Sequence, residues 1–375
     1  MKINESLREN FKWLHQHPEN SYQEYETTKY IIDRLKENHI EYYNKGLETG
    51  VIAIIQGEEP GGMVALRGDI DGLPILEQTD LSYKSTNHNM HACGHDFHTA
   101  VMIGVAIALK ENTQKLHGTV KIMFQPGEEA PGGAKNIIDT HQVDDADAFI
   151  GIHSSPTDKA GTFGIVEGPV MAAVDRFKII VTGEGSHAAH PDKGCDPLMP
   201  LIAMTQAIQT IISRNVDPLH PSLISVTKLQ SGNTWNVVPT QGEIEGTIRT
   251  LYKEDRTLCK ERIYSIISHT AEAYNAKAEV QWFEGPPAVI NDSDLVAFAI
   301  KVAQDNKMET FQNPLSMGGD DFGLYIDEIP GVYIKVGTGG DYPIHHPKFE
   351  IDTNALEPAV EYVTRLAMEY LYKTS

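Results

Sequence analysis

Val120-Lys121-Ile122-Met123-Phe124 runs straight into Gln125-Pro126-Gly127-Glu128-Glu129. A short apolar run closed by a Pro-Gly pair reads as a buried strand, and this one delivers two adjacent carboxylates at its carboxyl end. The same arrangement recurs on both sides. Val51-Ile52-Ala53-Ile54-Ile55 and Met63-Val64-Ala65-Leu66 precede it, and Ala148-Phe149-Ile150-Gly151-Ile152 follows and delivers His153. Helical spacing occupies residues 5–17 and 22–38, and a further helix is expected from about Phe97 to Lys110. Strands alternating with helices predict an α/β fold with a mostly parallel sheet, whose ligands gather beyond the strands' carboxyl ends.

The pattern changes near residue 174. Phe177-Lys178-Ile179-Ile180-Val181 alternates, a helix is expected over 197–213, and strands follow near 223–230 and 242–250. A helix near 254–274 and a strand at 277–283 complete a β-α-β-β-α-β order, that of a ferredoxin-like split βαβ unit. It reads as an insertion: residues 1–174 and 287–375 form one discontinuous domain and residues 175–286 a second.

Composition bounds the function. The chain has 375 residues and a formal charge of −21, which repels nucleic acid and anionic membrane. No run of about 18 apolar residues offers a membrane span, and the first residues form no apolar signal segment. Three scattered cysteines make no disulfide framework. A cytoplasmic enzyme with free thiols is the expectation.

The second chemical cluster is His91-Ala92-Cys93-Gly94-His95-Asp96. Thiol, imidazoles and carboxylate within six residues, beside the Glu128–Glu129 pair, point to a metal site with its own general base. Alternation along an extended segment would turn Cys93 and His95 to one side. His91 and His98 are expected to support the site rather than to bind metal. Asp71 either caps a turn, or orients a ligand or bridges to metal.

These motifs carry a family resemblance along nearly the whole chain. Leu14-His-Gln-His-Pro-Glu19, Leu66-Arg-Gly-Asp-Ile-Asp71, Met90-His-Ala-Cys-Gly-His-Asp96, Gln125-Pro-Gly-Glu-Glu129, Gly183-Glu-Gly-Ser-His187, Asn236-Val-Val-Pro239, Gly246-Thr-Ile-Arg249 and His345-His-Pro347 stand in order. The chain resembles the M20 metallopeptidases, in the aminoacylase-like branch with hippurate hydrolases, auxin-conjugate hydrolases and N-acetyldiaminopimelate deacetylases. The resemblance implies a catalytic domain with an inserted lid and dimerisation domain. It implies one or two divalent ions (Zn²⁺, Mn²⁺, Co²⁺ or Ni²⁺) on Cys93, His95, Glu129, His153 and His345, with Glu128 as base and His187 as the lid's substrate-binding histidine. Asp69-Ile70-Asp71 departs from the His-x-Asp of many relatives, and Ser154-Ser155 stands where bulky residues are usual.

The expected reaction is hydrolysis of an N-acyl amino acid. Glu128 takes a proton from the metal-activated water and returns it to the leaving amine, with Asp71 in support. His187 helps to hold the oxyanion, and Asn236 with Arg249 holds the substrate's carboxylate. The alternatives are a metallo-dipeptidase or carboxypeptidase, or an N-acetyldiaminopimelate deacetylase. A metal sensor would not need Glu128, and a thiol enzyme would want a resolving cysteine near Cys93. A homodimer or homotetramer is the expected assembly.

Overall fold

The structure, a computed structural model, describes residues 3–375. The chain divides into two compact units: residues 1–170, 290–314 and 324–375 in the first, and residues 171–289 with 315–323 in the second.

The first unit opens with α1 (Ile3–Gln16), α2 (Tyr25–Glu37), β1 (Glu41–Tyr43), β2 (Val51–Gln56) and β3 (Glu59–Asp69). Then come α3 (His95–Glu111), β4 (His117–Gln125), α4 (Gly133–Ile138), β5 (Ala148–Ser155) and β6 (Phe163–Gly164), and the chain crosses to the second unit along β7 (Gly168–Met171). There it forms β8 (Ala173–Thr182), β9 (Ser186–His187), α5 (Leu198–Asn215), β10 (Ser222–Ser231), β11 (Val237–Val238), β12 (Gln241–Thr250), α6 (Lys253–Ala273) and β13 (Lys277–Glu284). It returns through β14 (Val289–Asn291) to α7 (Ser293–Asp305), β15 (Thr310–Phe311), β16 (Gly331–Gly337) and α8 (Leu356–Thr374).

The first unit's sheet has eight strands in the order β1-β2-β4-β3-β5-β16-β6-β15. Its centre, β4-β3-β5-β16, is parallel; β1–β2, β2–β4 and β16–β6 are antiparallel, and β6–β15 is again parallel. The apolar runs explain this. All of β5 up to Ser154 is buried, as is β3 from Met63 onward, which is what a strand covered on both faces requires. The helix α3 is buried nearly all round, packed against α1, α8 and the sheet. From β3 the chain passes through α3 to β4 on one side, then back through α4 to β5 on the other. The carboxyl ends of β3 and β5 therefore flank a topological switch point, where open α/β sheets form crevices.

In the second unit the four-stranded sheet runs β10-β12-β8-β13, every pair antiparallel. Numbered within the unit this is 2-3-1-4, the split βαβ arrangement. Here burial alternates along β8 and β12, since one face only is packed. Phe177, Ile179, Val181, Ile244 and Ile248 join Leu201, Met204, Ile208, Ile263 and Ile267 of α5 and α6 in a separate core.

Candidate active site

Strand register gathers the chemistry. Asp69 pairs with Gln125 and Arg67 with Gly151, so His153, two residues past Gly151, comes level with Asp69. Glu128 and Glu129 follow β4, and Cys93 and His95 stand where the chain turns into α3.

That turn corrects the extended-segment expectation. Gly94 sits in the left-handed region at φ 84°, and His95 is already the first residue of α3. A Cβ on Gly94 would stand 2.5 Å from Ser154 Oγ, so no other residue fits without displacement. Ser154 uses the space: its hydroxyl donates to the Cys93 carbonyl at 3.0 Å. The turn, not strand alternation, brings Cys93 and His95 to one place.

Donor atoms of Cys93, His95 and His153 lie within 4.8 Å of one another, and so do those of Cys93, Glu129 and His345. His95, Glu128 and Glu129 form a third such group. Two of the three imidazoles have one nitrogen committed to structure. His95 Nδ1 is 3.0 Å from Asp71 Oδ1, and His95 Nε2 is buried with no hydrogen-bond partner. His153 Nδ1 donates to the Ser154 carbonyl at 2.8 Å, and its Nε2 meets Cys93 Sγ at 3.5 Å. His345 Nε2 lies 3.0 Å from Glu129 Oε1, yet that oxygen makes no hydrogen bond. The His345 backbone is held at φ 63°, with its N–H donating to the Ala92 carbonyl at 2.7 Å. A non-glycine residue kept there marks a constrained position.

Donor atoms converging on one space are what a cation requires, and a cysteine sulfur, imidazoles and a carboxylate suit a borderline divalent metal. Two trios sharing Cys93 give room for two ions. Electrostatics agree. Burial would lower His95, but Asp69, Asp71 and Cys93 outweigh it and hold the imidazole well above its usual range. Cys93 and then Glu129 push His345 up to about 10. The cluster carries surplus negative charge, which attracts a proton or, in its place, a cation. His153 goes the other way: burial, with Lys335 and His98 nearby, keeps it neutral and well below its usual value.

The remaining histidines are engaged elsewhere. His98 Nδ1 binds Asp69, and Nε2 accepts the Ser154 N–H at 2.8 Å, so both nitrogens are committed. His91 Nδ1 donates to the Asp71 carbonyl at 3.1 Å, and burial lowers this imidazole to about 4. Asp71 does not cap a turn alone. Its Oδ2 accepts the Glu129 N–H at 3.0 Å and the Ser21 hydroxyl at 2.7 Å, while Oδ1 faces His95.

His187, Asn236 and Arg249 lie in the second unit. Exposed His187 pairs with Val237 across β9 and β11, and the Ala188 N–H donates to the Asn236 carbonyl at 3.0 Å, so His187 and Asn236 are neighbours. Arg249 is not with them. It sits half-buried near the other end of β12, eight residues from Gln241, or about 26 Å along a strand. Sequence reasoning missed Glu24 and the pairing of His15 with Asp96 and Glu77. His15 lies in the Leu14–Glu19 motif and Asp96 in the His91–Asp96 cluster, but neither motif names the partner, and Glu24 and Glu77 lie in no motif.

Comparison with known proteins agrees with this geometry. Residues 65–369 match peptidase family M20/M25/M40. An N-acetyl-L-cysteine deacetylase of Bacillus subtilis is 44% identical over 96% of this chain and 86% of its own. Thermostable carboxypeptidase 1 of Saccharolobus solfataricus is 35% identical over 95% of each. The crystal structure of the Bacillus subtilis YXEP protein, described as a dinuclear metal binding peptidase from the M20 family, superposes with a TM-score of 0.90 at 39% identity. It covers 100% of this chain and 99% of that one. Both named activities cut an amide bond, and this chain belongs to peptidase family M20/M25/M40 as an amide-bond hydrolase.

Proposed function

We propose that the protein removes the acyl group from N-acyl amino acids, with small groups such as acetyl preferred. The observation that carries this reading is the acid pair at the end of β4. Glu129 belongs to a donor trio with Cys93 and His345, while Glu128 stands beside it with its carboxylate near His95. One acid is thus placed to bind metal and its neighbour to move protons.

Cys93, His95, Glu129, His153 and His345 would hold a divalent metal, whose chemistry there would be Lewis acidity toward the carbonyl and toward water. Glu128 takes the proton from the attacking water and hands it to the leaving nitrogen. Asp71 holds the His95 Nδ1–H, so that Nε2 is the nitrogen turned to the cluster. His187 is assigned to the developing oxyanion, and Asn236 and Arg249 to the substrate's carboxylate. The 44% identical deacetylase favours acyl amino acids, and the 35% identical carboxypeptidase keeps peptides as the second reading.

The test is a panel of N-acetyl and N-benzoyl amino acids and dipeptides, each with Zn²⁺, Mn²⁺, Co²⁺ or Ni²⁺, for wild type and Glu128→Gln. N-acetyl substrates should have the highest kcat/KM. The amide variant should bind metal normally and lose about 10²–10⁴ in kcat. Preference for dipeptides would favour the peptidase reading, and near-wild-type turnover by Glu128→Gln would remove the base from the mechanism.

A further inference from the structure

The backbone is gripped on both sides of Glu128. The Gly127 N–H donates to Glu24 Oε1 at 2.9 Å, and the Glu129 N–H to Asp71 Oδ2 at 3.0 Å. Both carboxylates depend on one short segment, residues 21–24. Ser21 donates its hydroxyl to Asp71 Oδ2, and Glu24 is steadied by the Thr49 hydroxyl on Oε2 at 2.8 Å. Between them Tyr22, at φ 63°, donates its hydroxyl to the Pro131 carbonyl at 2.7 Å, on the far side of the acid pair. Its ring closes off the space beside Gly127, where a Cβ would stand 2.6 Å away. Gly127 itself adopts φ 66°, the left-handed conformation that aims the chain out of β4.

Glu24 is fully buried, and a buried carboxylate is costly unless its oxygens are bonded. Among the described residues it belongs to no donor group at the cluster. Both of its oxygens are used, one to hold Gly127 and the other to hold itself in place.

We propose that Glu24 is a positioning residue for the general base: by holding the Gly127 amide, with Ser21 and Asp71 holding the other side, it sets the direction of the Glu128 carboxylate. The proposal rests on Glu128 being the base.

Glu24→Leu removes both acceptors at similar volume, whereas Glu24→Gln keeps an oxygen for Gly127 and can turn its amide toward Thr49 Oγ1. The measurements are kcat, KM and metal content on an N-acetyl amino acid, in wild-type and Glu128→Gln backgrounds. Glu24→Leu should lower kcat about 10–10²-fold, the scale of misplacing a reacting group by about 1 Å. KM should stay within about threefold and metal content should not change, and Glu24→Gln should restore most of the rate. In the Glu128→Gln background the leucine should cost almost nothing more, because the group it positions is already gone. Unchanged kcat in Glu24→Leu, or an equal loss in both backgrounds, would overturn the proposal. If the leucine variant does not fold, Glu24→Asp decides by the same criteria, since its shorter arm cannot reach Gly127 and Thr49 together. Full turnover by Glu128→Gln alone would instead sink the base assignment, a separate failure visible in the same data.

Discussion

Asp71 Oδ1 and His95 Nδ1 are 3.0 Å apart, and this contact decides which face of the His95 ring is left for chemistry. With Nδ1–H engaged, Nε2 is the lone pair that points into the cluster. The other Asp71 oxygen is occupied by the Glu129 N–H and the Ser21 hydroxyl, so the carboxylate ties a histidine to the backbone of an acid. Asp71→Asn cannot satisfy all three donors. If its oxygen serves His95, its NH₂ meets two donors; if it flips, NH₂ meets Nδ1. We expect about 10–100-fold weaker metal affinity, the usual scale for a group that orients a ligand, with the fold intact. A chelator-competition titration that gave wild-type affinity would refute this role.

The two donor trios share one atom, Cys93 Sγ. Losing the thiol should therefore weaken both ion positions, whereas losing His345 should weaken one. Elemental analysis after dialysis should find Cys93→Ala nearly empty and His345→Ala with roughly half the wild-type metal, activity in both recovering in part with excess metal. Equal stoichiometry in the two variants would mean that the thiol does not join the trios.

Much of this is legible in the sequence, for physical reasons. Parallel strands buried on both faces must be apolar, so β3 and β5 announced themselves, β4 did so by the apolar positions around Lys121, and a site beyond their carboxyl ends followed from topology. The alternation of Phe177–Val181 in β8 marked the second unit in the same way. The His91–Asp96 turn was read as extended because its spacing fits either geometry, and only the Ser154 contact shows why Gly94 must turn left-handed. Glu24 was invisible for a different reason. It meets Gly127 across a sequence separation of 103 residues, and a single buried carboxylate in a loop leaves no periodic trace.

His15 sits between two buried acids, 2.6 Å from Asp96 Oδ2 and 3.1 Å from Glu77 Oε1. Burial alone would lower it, but the two carboxylates outweigh that and raise it to about 10. Its unfolded value is about 6.5. The raised value means that protonated His15 stabilises the fold fully below pH about 6.5, and that this contribution fades as pH climbs toward about 10. His15→Gln, which strands two buried acids, should cost about 3–5 kcal/mol at neutral pH. Urea unfolding of both proteins should show the gap narrowing from pH 7 to pH 10; a constant gap would mean that His15 is neutral throughout.

The second unit's sheet has a polarity that bears on assembly. The chain comes in at β8 and leaves after β13, and the register pairs Ala173 with Thr250 and Asp175 with Glu284, so Arg249 lies at that same end. His187 and Asn236 follow the opposite end, where Thr182 pairs with Gln241. A β-strand of ten residues such as β8 extends about 30 Å. The substrate roles proposed for His187, Asn236 and Arg249, at opposite ends of one sheet, are more easily reconciled if each end serves a different copy of the site. We therefore propose a homodimer or larger even assembly in which His187 completes the neighbour's site. His187→Ala and Glu128→Gln homodimers should each be nearly inactive. Refolded or co-expressed together, they should regain up to about a quarter of wild-type activity. Half the dimers are then mixed, and one of the two sites in each has both groups intact. Purified heterodimers as inactive as their parents would place His187 in its own chain's chemistry, or in none.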